Sequence, residues 1–212
     1  MSDDSGNKQG NEFSILSEFR ATQQESNYRA STINAARRLN IGAAVLVMAA
    51  SILFTLNDIG LKGIQDSVIV IRNTIALVAL ASFFICWRAK TWQLVYFSTY
   101  LLAAGLYTCV ILINLSRPSD YLLHLGVDAV LLIGIFIALP TVGSQILIAS
   151  SFSIALVVIH YLVKTPTYEM ANIVVPGVIV LSNIIGLMAS IPSNKTKREL
   201  FLLQQTDSSS EQ

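Results

Sequence analysis

Charged side chains are scarce in this sequence. They make up 13% of its 212 residues, about half the share usual in soluble globular domains. Most of the chain therefore lacks the means to cover itself with a water-facing surface. Cysteine is rarer still. Cys86 and Cys109 both fall inside apolar runs, where they read as small core residues, and no disulfide framework is expected. His124 and His160 are the only histidines. The formal net charge is +1 with the basic residues dispersed, so no nucleic acid partner is expected. GxxxxGK[ST], HExxH and GxSxG are all lacking, so neither a nucleotide-driven pump nor an intramembrane hydrolase is supported. No enzymatic activity is expected of this chain. A cleavable signal peptide is not expected either, because about forty mostly polar residues precede the first apolar run.

What is present is apolar: 53% of residues, gathered into six runs of roughly the 20 residues that span about 30 Å of hydrocarbon. The runs cover residues 41–57, 67–87, 94–115, 121–140, 144–163 and 172–191. In lipid an open chain satisfies its backbone only as helices. The expected fold is all-α, a polytopic membrane protein with six transmembrane helices and antiparallel neighbours. Pro140, Pro192 and the Pro118 turn fall at run ends, where a missing N–H is harmless, and Pro176 falls in the first turns of the last run. Placing the N-terminus inside puts Arg29, Arg37, Arg38, Arg88, Lys90, Lys195, Lys197 and Arg198 on the inner side, against Lys62, Arg117 and Lys164 outside. The excess of basic residues predicts that both termini are cytoplasmic, with Trp87 and Trp92 as interfacial aromatics.

Three segments follow: a cytoplasmic polar segment 1–40, a membrane domain 41–192, and a cytoplasmic tail 193–212. Residues 1–32 are rich in Ser, Gln and Asn and are expected to be flexible, with "FSILSEF" the alternative as a short amphipathic helix. The tail "SNKTKRELFLLQQ" predicts a helix continuing the last run, with an apolar stripe at Leu200 and Leu203.

Ionisable residues inside the runs are costly, by at least about 2.5 kcal/mol each. Arg72, His124, Asp128 and His160 are the candidates. At about 1.5 Å rise per residue, Arg72 and Asp128 lie roughly 9 and 12 Å below the outer boundary, and the histidines about 6 Å. His124 and Asp128 are four residues apart and share a helix face. Equal depth predicts an Arg72–Asp128 ion pair. This cluster is open to three readings: a structural staple, a pocket for a small ligand or proton, or a haem or metal site built from His124, Asp128 and His160. No cofactor is assigned, haem or a metal ion being the alternative. Asn183 and Gly186 predict a helix contact with one interhelical hydrogen bond.

The stretches "SRPSDYLLHLGVDAVLLIGIFIALP", "SQILIASSFSIALVVI" and "LSNIIGLMASIPSNKTKRELFLLQQ" resemble the six-helix membrane sensor regions ahead of bacterial GGDEF diguanylate cyclases, and of some class III adenylate cyclases and histidine kinases. In that family an Asn-x-x-Gly near the end of the last span precedes a basic juncture and a helix leading to the enzyme. Asn183, Gly186, Lys195, Lys197, Arg198 and Phe201 match that arrangement, and Arg72 and the Arg117–Pro118 turn also look similar. The resemblance covers residues 40–204 and implies a sensory input module of the bacterial inner membrane. Such a module is implied to act as a homodimer, to respond to an unidentified small ligand, and to signal to a cytoplasmic output domain. No GG(D/E)EF sequence or cyclase body follows Gln204, so the resemblance implies an input without its output, either a fragment or a free-standing relative. The alternative function is a small transporter or channel subunit using Arg72 and Asp128.

Overall fold

The computed structural model describes residues 13–14, 18–60, 66–116, 123–164 and 170–210. All regular structure among them is helical: α1 Thr22–Ser31, α2 Ile33–Gly60, α3 Asp66–Arg88, α4 Trp92–Ser116, α5 Leu123–Ala138, α6 Val142–Val158 and α7 Ala171–Ser210. A π-helical segment, Ile159–Lys164, continues α6. Lys62 and the Arg117–Pro118 turn lie outside the described residues.

Among the described residues, five helices are long and apolar enough to cross a membrane: α2, α3, α4, α6 with its π segment, and α7. The fourth expected span is shorter. α5 has 16 described residues, about 24 Å of helix, and is apolar apart from His124 and Asp128. The polarity of the bundle is inverted relative to a water-soluble protein. Leu46, Leu53, Leu77, Leu147 and Ile173 stand on the outside, while Ser82, Ser98 and Gln145 are buried. An exterior of this kind needs lipid around it. The chain is a helical membrane protein.

Two groups of helices build the bundle. α2, α3 and α4 pack together, as do α5, α6 and α7, and α4 joins the groups through α5, α6 and the π segment. Tyr107 of α4 meets Phe152 of α6 across this seam, with ring centroids 4.8 Å apart. Leu132, Ile135 and Phe136 of α5 and Ile179 of α7 complete the same core. Tyr107 is thus a packing residue. Thr141 caps α6, its side chain accepting from Ser144 N at 3.3 Å, which explains the sharp turn after Pro140.

Lipid tails are as apolar as leucine, so hydrophobicity alone does not hold such helices together; close approach and buried hydrogen bonds do. In the first group Asn40 Nδ2 donates to Ser98 Oγ at 2.8 Å, and the Ser82 and Ser98 hydroxyls donate to each other's carbonyls at 2.9 and 2.7 Å. In the second, Asn183 Nδ2 donates to Ser153 Oγ at 2.8 Å. Ser190 Oγ donates to Gln145 Oε1, and Gln145 Nε2 donates to Leu139 O at 2.8 Å. Gly186 lies against Phe136, where a Cβ would come within 2.1 Å of the ring.

α7 continues from the last apolar run through the tail, as the sequence predicts. Pro192 lies inside the helix, which runs unbroken for 40 residues, about 60 Å, or twice the hydrocarbon thickness. A proline at a membrane boundary marks where the span ends, and here the helix does not end with it. Pro176, also inside α7, has no N–H to offer Asn172 O, the carbonyl four residues earlier. The Tyr161 hydroxyl donates to that oxygen instead, at 2.6 Å.

Gly186→Ala is expected to destabilise the α5–α7 contact by about 1–3 kcal/mol through overpacking. Thermal unfolding in detergent followed by circular dichroism reads this as a lowered midpoint. Combining it with Phe136→Leu should recover most of the loss, because the clash is with that ring.

Candidate functional site

No ion pair or hydrogen bond joins any two of Arg72, Asp128 and His160. Asp128 is buried on α5, and both its carboxylate oxygens accept from Asn114 Nδ2 of α4, at 3.1 and 3.0 Å. Arg72 is buried on α3 with its guanidinium 4.9 Å from the Phe54 ring centroid, while Ser51 Oγ donates to its carbonyl oxygen. The expected Arg72–Asp128 ion pair is not formed. The two residues belong to different helix groups: α3 packs on α2 and α4, α5 packs on α6 and α7, and α4 supplies Asn114. Asn114 ends the third apolar run, a position easily read as loop-adjacent.

His160 is buried in the π segment beside Tyr161, with ring centroids 4.9 Å apart. Its Nε2 has no hydrogen-bond partner among the described residues. The His124 side chain lies outside the described residues, so its relation to Asp128 and His160 is not on view. No three His, Cys, Asp or Glu side chains gather among the described residues.

At the opposite end of the bundle the polar N-terminal segment and the end of α7 form a tighter site. Residues 22–31 are helical and docked, where flexibility was expected. "FSILSEF" does not form the alternative helix among its described residues: Phe13 and Phe19 make an isolated antiparallel bridge, their rings stacked at 5.2 Å. At the C-terminus of α1 the Ser31 and Thr32 hydroxyls donate to Tyr28 O at 2.8 and 3.0 Å, beside Thr32 N at 3.1 Å.

Glu25 is the centre of this site. Arg198 Nη2 donates to Oε1 at 2.8 Å and Arg198 Nε to Oε2 at 3.1 Å, a two-pronged contact between the first and last described helices. Arg29 Nε donates to Oε1 at 2.9 Å and Phe19 N to Oε2 at 3.2 Å. Arg198 is 1% exposed, its guanidinium 4.7 Å from the Tyr28 ring centroid. Phe201 follows one turn later, 5.5 Å from Tyr28 and 6.2 Å from Phe19. On its other side α1 reaches α4, with the Arg29 guanidinium 5.2 Å from the Trp92 ring and 5.6 Å from that of Tyr96. α1 therefore straps α4 of the first helix group to α7 of the second.

Burial raises the Glu25 carboxyl pKa, but hydrogen bonds from Arg198 and Arg29 and the Arg198 charge outweigh it and hold the group below its ordinary value of 4.5. Sequence reasoning placed Arg198 and Phe201 at the exit of the last span without their partners. Glu25 was missed; the only local signal is its i,i+4 spacing to Arg29, which reads as an ordinary surface pair. Of the other predicted transmission residues, Lys195 makes an exposed pair with Glu199 at 3.7 Å, of little energetic weight, and Lys197 is exposed.

A group whose folded pKa is depressed contributes stability above its unfolded pKa and loses it as pH falls through the folded value. The strap is thus expected to hold at neutral pH and loosen as pH falls below 4.5. A nitroxide on exposed Ala30 should sharpen its spectrum in that acid range, and Glu25→Gln should abolish the transition. At neutral pH, Glu25→Gln leaves Arg198 buried without its counter-charge and should weaken docking by on the order of 3 kcal/mol.

Comparisons of the chain with protein-family models, with curated proteins and with solved structures found no match.

Proposed function

We propose that this chain is a membrane-embedded input module that passes a stimulus from its helix bundle to a cytoplasmic output through α7. The observation that carries this is the continuity of α7. One helix lines the bundle at Ile179, Asn183 and Gly186 and leaves it past Pro192, meeting the strap at Arg198 and Phe201. A rigid element common to both sites can transmit a rotation or shift, given two packings of similar energy and a ligand that favours one.

Three further features support the reading. Leu200 and Leu203 are 54% and 61% exposed beyond Pro192, an apolar stripe suited to pairing with a second α7 in a homodimer. The basic excess at the strap end favours a cytoplasmic location for both termini by the positive-inside rule. The resemblance to the sensor regions of diguanylate cyclases has the same polarity, with input in the bilayer and output beyond the last helix. The proposed location is the inner membrane of a bacterium. The proposed input is the polar set at the opposite end, where buried Asp128 and His160 are costly to keep in lipid without a purpose.

The test is a dimerisation-dependent reporter enzyme fused after Gln212 in the full chain, with expression and folding checked in membranes. Glu25→Gln and Arg198→Gln should each change basal reporter output severalfold, while Leu53→Ala on the lipid-facing surface leaves it unchanged. Unchanged output in folded Glu25→Gln and Arg198→Gln proteins would contradict the relay.

A further inference from the structure

The seam between the two helix groups is not closed. A cavity of about 570 Å³ lies between α2 and α4 on one side and α5 and α7 on the other, within the roughly 300–1,000 Å³ of ordinary ligand pockets. Its wall is apolar at Leu102, Leu106, Leu131 and Ile135. Toward the strap it becomes polar, with Tyr28, Thr32, Asn194 and Lys197. Val130 and Ile137 line it and are also 69% and 64% exposed on the lipid-facing exterior, so the cavity opens sideways toward the bilayer.

Asn40 also lines the cavity, with its amide held to Ser98 Oγ at 2.8 Å. Lys197 is exposed and makes no ion pair among the described residues. The other ionised groups nearby are Glu18, Glu25, Arg29 and Arg198 at the strap and the exposed Lys195–Glu199 pair on α7; the Glu25 carboxylate is shared by two guanidinium groups.

We infer that this cavity binds one anionic glycerophospholipid from the leaflet on the strap side. One acyl chain lies along Leu102, Leu106, Leu131 and Ile135, and the phosphate meets the Lys197 ammonium. The cavity supplies each part of such an amphiphile with its complement, and the bilayer delivers it through the lateral opening. This site is distinct from the Asp128 and His160 region and does not depend on the signalling proposal.

The experiment uses the full chain in phosphatidylcholine nanodiscs doped with phosphatidylglycerol bearing a diazirine in its acyl chain. After irradiation, adducts are mapped by mass spectrometry. Adducts are expected on Leu102, Leu106, Leu131 or Ile135, and unlabelled phosphatidylglycerol should compete them away. A Cβ on Gly134, another lining residue, meets nothing within 4 Å, so Gly134→Leu should fold normally, fill the space and remove these adducts. Lys197→Gln should lower them about fivefold, the weight of one basic residue near an anionic lipid, without changing labelling by a phosphatidylcholine probe. Adducts confined to outward residues such as Leu53, Leu77 and Ile173 would overturn the site and reduce the lipid to an annular one. Equal labelling by both probes, insensitive to Lys197→Gln, would overturn the anionic head group.

Discussion

The contact between the Arg198 guanidinium and the Glu25 carboxylate joins helices 173 residues apart in the chain. Few other interactions here are both charged and closely packed. Burying either ion alone would cost several kcal/mol. The cost is offset because both carboxylate oxygens are fully used and the guanidinium also lies on the Tyr28 ring. The consequence is geometric. α7 cannot turn or slide at Arg198 without disturbing α1, and α1 is held to α4 through Arg29 over Trp92 and Tyr96.

This constraint matters because the rest of the bundle is held by weak forces. With lipid outside, burying a leucine between helices gains little over leaving it in the bilayer. Each helix group is instead held by a few short polar contacts and close approaches: Asn40 with Ser98 and Ser82, Gln145 with Ser190, Asn183 with Ser153, and Gly186 with Phe136. Between the groups there are fewer contacts. Asn114–Asp128 and Tyr107–Phe152 cross the seam, and the cavity occupies much of what remains. Such a seam can have more than one packing, and the strap sits across one end of it.

Much of the architecture was legible because lipid imposes a simple code. Uncharged runs about 20 residues long announce helices, and an Asn and a Gly one turn apart announce a helix contact, which Asn183 and Gly186 make. The reading failed where one dimension of information stood in for three. Depth along a helix axis placed Arg72 and Asp128 at one level but carried nothing about azimuth, so Asn114 was overlooked as the partner. The strap was invisible for a different reason: its polar composition reads as disorder, and the ring and guanidinium contacts that dock it come from residues far away in sequence.

The most direct measurement is the distance between nitroxides on Thr22 of α1 and Leu203 of α7, read by pulsed electron spin resonance on the full chain in nanodiscs. With the strap docked, a single narrow distribution is expected, and Arg198→Gln should broaden and lengthen it. A broad distribution in the unmodified chain, or a narrow one that survives Arg198→Gln, would contradict the account. α7 would then leave the bundle unclamped, and α1 would have no part in what passes through it.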